Sequence, residues 1–256
     1  MKNRYGLLAI IIVFSSCAVS CAETSSHEAE TVQTSASVSL EQTTAETTAF
    51  IDDKTSEKTA VVLSAESGFY NEPFLLELSC QTKDAVIYYT IDGSEPDSNS
   101  LCYSEPIMLK DRTSDPNVLS AETGTSAGGD YIPRDNVKKA NVIRAVAVYP
   151  DGSCSSIANG TYFVGIDREK EYGEVPVISL LTDKDNLFDS EKGIYVLGDT
   201  YEKWVAEQEE HYEAWEAEGN YSQRGKEWER PVAVELITAD GTEGFSQDMG
   251  VRIMGA

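Results

Sequence analysis

Short runs of β-branched and aromatic residues, divided by turn-forming pairs, most constrain what this chain can fold into. They occupy residues 74–80, 85–92, 141–149 and 161–164, and the pairs are Asp92-Gly93, Asp151-Gly152 and Asn159-Gly160. Asp-Gly and Asn-Gly pairs favour tight hairpin turns between such runs. Within them, apolar residues alternate with polar or small ones, which predicts a sheet with one face buried and one in water. Because the runs are short and regularly spaced, we predict a mainly β protein built around a small antiparallel β-sandwich.

Three motifs in this region occur in a recognisable order. They are Tyr-Thr-Ile-Asp-Gly-Ser-Glu-Pro at 89–96, Tyr-Ser-Glu-Pro-Ile at 103–107 and Ile-Arg-Ala at 143–145. Together they resemble the chitobiase/β-hexosaminidase C-terminal-type module, which implies an immunoglobulin- or fibronectin-like fold for residues 61–166. Such modules are appendages to enzymes and surface proteins, so no activity follows from the fold. Residues 111–137 are longer than the family pattern, and we predict a surface loop there.

The first residues have the order of a secretory signal peptide. Lys2 and Arg4 precede the apolar run 6–14, and small residues follow it. The run is too short to span a bilayer, so residues 1–21 predict export. Residues 22–60 are rich in Ser, Thr and Glu and too polar to bury a core, which predicts a disordered stalk.

Two cysteines at the end of this leader suggest a lipid anchor. Cys17 and Cys21 each follow small residues, which resembles the lipobox of bacterial lipoproteins, where the cysteine thiol is acylated. We predict lipidation of one of the two and a location on the outer face of a bacterial membrane. Ordinary cleavage near Ala18 or Ala22 is the alternative.

Charge excludes one class of partner. With 44 acidic and 20 basic residues, the formal net charge is −24. A surface this negative repels phosphate backbones, so nucleic acid is excluded as a partner. The remaining candidates are surface proteins, polysaccharide and, through the anchor, the membrane.

Several residues of the sandwich could be taken for metal-binding or ligand-binding residues, but structural roles explain them better. Asp92, Glu95 and Asp97 could suggest calcium; however, their spacing differs from an EF-hand loop, and Asp at a turn bonds its own backbone. Tyr88 and Tyr89 could suggest a sugar platform, yet adjacent strand residues face opposite ways. The three cysteines of this region lack metal-ligand spacing, and we interpret them as packed or semi-buried thiols: Cys80, Cys102 and Cys154.

A second region follows the charged linker 167–175. Residues 175–181 and 193–196 predict strands on either side of a polar turn, and residues 199–218 predict an acidic helix. Its aromatic stripe includes Tyr201, Trp204, Tyr212 and Trp215. We expect this stripe to be buried in the core, with a partner groove as the alternative, and the helix glutamates to be solvated.

Four linked segments of this region resemble the CotH family of spore-coat-type, kinase-like proteins. They are Leu187-Phe188, Gly193-Ile-Tyr-Val196, Trp228-Glu-Arg-Pro231 and Gly250-Val-Arg-Ile253. The resemblance covers residues 176–256 and implies an incomplete α+β kinase-like domain. For a full-length parent it implies protein phosphorylation with ATP and a divalent metal.

No catalytic, cofactor-binding or metal-binding residue of that family can be placed on this sequence. Glu227 and Glu229 flank Trp228 and suggest a general-acid pair, but they are better interpreted as sheet-edge charges. Arg252 lies in the matched strand, where it could face phosphate or form a structural salt bridge. With only His27 and His211, the chain offers no Ser-His-Asp set.

Two functions of different class remain. The first is an exported surface protein, the N-terminal fragment of a CotH-like parent with an appended sandwich module, inactive as a kinase by itself. The second is a self-sufficient surface protein that binds carbohydrate or cell wall through the sandwich and the acidic helix.

Overall fold

The computed structural model describes residues 58–209 and 211–254. Among these residues, twelve strands dominate, so the described part of the chain is mainly β, as predicted. The strands are β1 Val62–Leu63, β2 Gly68–Tyr70, β3 Phe74–Leu76, β4 Leu78–Ser79, β5 Val86–Thr90, β6 Leu101–Cys102, β7 Ile107–Leu109, β8 Asn141–Val148, β9 Ala158–Val164, β10 Val177–Leu181, β11 Arg230–Ile237 and β12 Glu243–Val251. The α-helices are α1 Arg168–Tyr172, α2 Lys184–Phe188 and α3 Gly198–Ala206.

The first nine strands form a sandwich. A five-stranded sheet has the order β2-β9-β8-β5-β6, with only its β2–β9 pair parallel, and two short pairs, β1–β4 and β3–β7, lie over one of its faces. Alternate residues of each strand point to that face and form one apolar core. Its fully buried members include Leu76, Leu109, Ile143 and Tyr162.

The opposite face of the five-stranded sheet is also covered. Strands β10-β11-β12 form an antiparallel three-stranded sheet, and Ile237 of β11 packs with Phe163 of β9 and Ile166. Phe69 stacks on Phe163 with ring centroids 4.5 Å apart. The prediction of one wet face is therefore wrong for this sheet, because the C-terminal region covers that face. All the described residues belong to a single compact unit.

Several local predictions change in the structure. The segment 193–196 is a turn rather than a strand, because backbone bonds hold it against the C-terminal end of α2: Ile194 N donates to Asn186 O over 3.0 Å, and Tyr195 N to Leu187 O over 2.8 Å. The polar turn at 182–186 contains the start of α2, and the charged linker contains α1. The pair Asn159-Gly160 lies inside β9 rather than in a turn.

The acidic helix is shorter than expected. It ends at Ala206 instead of continuing to residue 218, and the following segment folds back so that the Tyr201 and Tyr212 hydroxyls lie 2.9 Å apart. Like-charged glutamates four residues apart, as at Glu209 and Glu213, disfavour a continued helix. Trp215, expected in the core, has 81% of its surface exposed.

The insertion 111–137 has no strand, but it contacts the C-terminal region. Leu197 N donates to the carbonyl oxygen of Gly124 over 2.7 Å, and Lys184 pairs with Glu122 over 2.6 Å. Within the described residues, no helix has the length and apolar character needed to cross a membrane.

Candidate functional site

A buried carboxylate lies between the two large sheets. Glu235 is central in β11 and has no exposed surface. Its Oε1 accepts from the Ser67 hydroxyl over 2.8 Å, and its Oε2 accepts from the Thr161 hydroxyl of β9. Since the Thr161 proton is used in this way, the Ser179 hydroxyl, 2.8 Å from Thr161 Oγ1, donates to it. This network joins the sandwich to the three-stranded sheet.

The surroundings of Glu235 oppose its ionisation. Burial raises the pKa of its carboxyl above the usual range, and the nearby Glu243 carboxylate adds to this increase. The hydroxyls of Thr161 and Ser67 partly offset the effect, because they bond best to the charged form. A cavity of about 360 Å³ lies beside the network and is lined by Ser67 and Glu243, but Glu235 itself does not line it. We therefore interpret the network as a structural joint.

Backbone contacts extend this joint. Glu95 N donates to Asp183 Oδ1 over 2.7 Å, which links a sandwich turn to the start of α2. A Cβ placed on Gly68 would lie 2.7 Å from the carbonyl oxygen of Gly241, so the β11–β12 turn can approach β2 only where a side chain is absent. The sandwich and the C-terminal sheet therefore meet with close complementarity.

The four segments on which the predicted resemblance to the CotH family rests meet in one place. On the outer face of the three-stranded sheet, Ile194, Val232 and Val251 form an apolar cluster that Leu187, Trp228 and Ile253 complete. Segments separated by up to about sixty residues in the chain thus share one small core.

Charged residues of the same segments also pair. Arg252 Nε lies 3.5 Å from Glu229 Oε2, and the side chain of Glu229 covers Gly250, which leaves no room there for a Cβ. Arg230 donates to the Lys192 carbonyl over 2.7 Å and lies over the ring of Trp228. The salt bridge, one of the two roles expected for Arg252, is present. Glu227 lies in a 3₁₀ turn with Trp228, so Glu227 and Glu229 do not share a strand face.

Asn220 organises the loops beside this cluster. Its Nδ2 donates to the carbonyls of Ser190 and Gly193, at 2.9 and 3.0 Å, and its Oδ1 accepts from Thr200 Oγ1 over 2.7 Å. The side chain is 2% exposed. A buried amide with every bond made fixes the loops that it touches.

A cleft of about 520 Å³ opens next to Asn220. Three aromatic side chains line it, those of Tyr195, Trp215 and Tyr221, together with Glu218 and Arg224. It combines apolar rings with a few polar groups, which is typical of small-molecule binding sites.

Other residues singled out from the sequence have structural roles, are exposed, or lie outside the described residues. Asp92 Oδ1 accepts from Ser94 N over 3.1 Å, which confirms the turn interpretation. Tyr89 packs at the sandwich core, with its ring 6.4 Å from that of Tyr103. His211 is exposed beside Glu213. The lipidation candidates Cys17 and Cys21, and also His27, lie outside the described residues.

The interpretation of the cysteines is wrong for two of the three. Cys80 is half-buried and donates to the Thr59 carbonyl over 3.2 Å, but Cys102 and Cys154 are exposed. Cys102 is on the short edge strand β6 and Cys154 follows a tight turn, so neither reaches the core. Among residues 58–209 and 211–254, no group of three or more His, Cys, Asp or Glu is arranged to hold a metal ion.

Sequence reasoning missed Glu235, Asn220 and the cleft. A lone acid inside the apolar run Val-Ala-Val-Glu-Leu-Ile at 232–237 is a signal of a buried carboxylate that could have been used. Asn220 carries no comparable signal, because its partners are backbone groups brought together only by the fold.

Comparison with known families identifies part of the chain. Residues 76–162 match the family described as Fn3 associated, so the sandwich contains an Fn3-like module. The match covers about a third of the chain. No curated protein and no solved structure matches the chain.

Proposed function

We propose that this chain belongs to an exported, lipid-anchored cell-surface protein of the CotH-like, kinase-like type. In this proposal the Fn3-like module, of the chitobiase/β-hexosaminidase C-terminal type, is a rigid support for the CotH-like region and not a catalyst. The resemblance implies phosphorylation with ATP and a divalent metal for a full-length parent, and in this proposal the present chain alone is inactive as a kinase.

One observation carries the CotH-like part of this proposal. Residues from all four segments that suggested the resemblance, among them Ile194 and Val251, form a single core. Two of the segments are also joined by the Glu229–Arg252 ion pair. Motifs that mark a domain family commonly lie at its core positions, and this shared core supports the resemblance. The buried network at Glu235 supports the scaffold role, since it fixes the module against the C-terminal sheet.

Two experiments test the proposal. For the family, the DNA following the Ala256 codon should continue an open frame that encodes acidic metal-binding motifs; an immediate stop codon would favour the binding-protein function. For the anchor, labelled palmitate should enter the full chain expressed in a bacterium. One of the two single variants, Cys17→Ser or Cys21→Ser, should abolish this labelling, and the other should retain it. Labelling that survives in the double variant would contradict lipidation.

A surface carbohydrate-binding role is the second candidate. The exposed indole of Trp215, at the mouth of a cleft with two tyrosines, favours it. It is compatible with export and with the Fn3-like module.

A further inference from the structure

The cleft beside Asn220 has an unusual rim. The indole of Trp215 is 81% exposed and the phenol of Tyr195 is 39% exposed, while Tyr221 is half-buried. Large aromatic side chains contribute strongly to folding when they are buried, so a chain that leaves one in water gives up that contribution. An exposed ring at the edge of a concavity is instead suited to contact a ligand.

The groups behind the rim are held in place. Tyr195 follows Gly193, whose carbonyl accepts from Asn220, and its ring lies edge-on to that of Phe188 at 6.1 Å. Tyr221 follows Asn220 in a 3₁₀ turn, and its carbonyl accepts from Arg224 over 3.0 Å. The walls of the cleft are therefore preorganised, which lowers the entropic cost of binding.

The polar groups of the cleft match hydroxyls better than charges. Glu216 and Glu218 offer carboxylate oxygens as acceptors. The Ser222 hydroxyl accepts from Gly219 N and can donate to a ligand, and the Thr125 hydroxyl donates to Asp130 and can accept from one. Arg224 supplies the one positive charge of the lining, with its Nη1 bonded to the carbonyls of Tyr221 and Gln223. Two acids against one base leave the lining negative, in a chain whose net charge is −24. Phosphates, uronates and other anions are repelled, whereas a neutral ligand rich in hydroxyls finds both partners.

From this chemistry we propose that the cleft binds neutral glycans, with the face of a pyranose ring stacked on Trp215. The C–H face of a neutral hexose is apolar and flat enough to cover an indole, and its equatorial hydroxyls can then bond to the carboxylates and to the Ser222 hydroxyl. The inference gives a site to the second candidate function and is independent of the CotH-like assignment.

Affinity electrophoresis of the full chain tests the proposal. Native gels would contain hydroxyethyl cellulose, xylan, glycol chitin or a mixed-linkage β-glucan, with polygalacturonate as the anionic control. We expect at least one neutral polymer to slow migration and polygalacturonate not to do so. Titration of the matching hexasaccharide should then change the tryptophan fluorescence.

Matched variants locate the site. Trp215→Ala should weaken binding at least tenfold and Trp215→Phe less, while Tyr131→Ala, which removes an 86% exposed ring on the insertion, should leave it unchanged. Unchanged unfolding curves would show that each variant is folded.

Three results would overturn the proposal. They are the absence of binding to every neutral polymer, equal binding by Trp215→Ala, and equal retardation by polygalacturonate. Self-association that depends on Trp215, without glycan binding, would identify the cleft as a contact between copies of this chain instead. None of these outcomes bears on the downstream DNA sequence or on palmitate labelling, so the CotH-like proposal is tested separately.

Discussion

The hydroxyl of Ser67 donates a 2.8 Å hydrogen bond to the carboxylate of Glu235, across 168 residues of sequence. Ser67 directly precedes the first strand of the five-stranded sheet, and Glu235 lies in the middle strand of the C-terminal sheet. The same serine oxygen accepts from Thr161 N over 3.0 Å, so one side chain contacts both sheets. The Fn3-like module and the region beyond it are thus joined through polar groups that water does not reach.

The first prediction concerns the pH dependence of stability. Because the pKa of Glu235 is raised on folding, the folded protein holds this proton at pH values where the unfolded chain has released it. Its contribution to the free energy of unfolding therefore falls as pH rises from the usual glutamate pKa through the raised one. Each unit of increase in pKa corresponds to about 1.4 kcal/mol.

Urea unfolding of the wild type and of Glu235→Gln between pH 4 and pH 8 checks this. The amide can donate to Thr161 Oγ1 while Thr161 donates to Ser179, so the variant should fold. The stability of the wild type minus that of the variant should decrease as pH rises. Parallel curves would show that Glu235 does not titrate in this range.

The second prediction concerns the close approach at Gly68. Gly68→Ala places a methyl 2.7 Å from the Gly241 carbonyl oxygen, a backbone atom that cannot turn away. We expect a loss of about 1–3 kcal/mol in the free energy of unfolding, as for overpacked sites. Gly128→Ala is the matched control, since its methyl would meet Ala214 Cβ at an ordinary 3.5 Å, and it should change stability by less than about 0.5 kcal/mol. Equal effects of the two substitutions would contradict the contact.

The third prediction concerns the buried arginine of β8. Arg144 is 6% exposed; its Nη1 donates to the Gly93 carbonyl over 2.9 Å and its Nε to Asn159 Oδ1 over 3.1 Å. A lysine ammonium lacks the planar fork that reaches both acceptors. We expect Arg144→Lys to cost about 1–3 kcal/mol in thermal or urea unfolding.

The control for this substitution is Arg134→Lys, at an exposed site of the insertion, which should be nearly neutral. If Arg144→Lys is equally neutral, the two hydrogen bonds do not hold the 92–94 turn.

The fourth prediction concerns thiol reactivity. In a chain with serine at positions 17 and 21, Ellman's reagent should label two thiols quickly and one slowly, because Cys102 and Cys154 are exposed and Cys80 is half-buried. Cys102→Ser should remove one fast equivalent and leave the slow phase intact. Three equal rates would show that Cys80 is as accessible as the other two.

Local signals predicted the module well and its surroundings poorly. The strands from Val86 and Asn141, and the turn at Asp92, follow from alternation and turn chemistry that act over a few residues. The covered outer face of β8 could not be predicted in this way, because its partner is a sheet that begins nearly thirty residues after β8 ends. Hydrophobic periodicity also could not show that the helix ends at Ala206. Repulsion between glutamates and the contact between Tyr201 and Tyr212 favour a chain that folds back over a longer helix.

The candidate sites also differ in whether short-range sequence patterns could predict them. The Arg252 salt bridge was one of the two roles expected from the sequence, and its partner Glu229 comes from another named segment. Asn220 and the aromatic cleft depend on loops whose positions are set by hydrogen bonds to backbone carbonyls, and no residue pattern records those bonds.

The bond from Leu197 N to the Gly124 carbonyl has a consequence for how such proteins can evolve. Gly124 lies in the insertion 111–137, and the amide that it satisfies belongs to a different part of the chain. A shorter relative of the module, recombined into this position, would leave that amide without its acceptor and remove the Glu122 partner of Lys184. Exchange of this module for one without the insertion is therefore disfavoured, and changes in the two parts should be coupled.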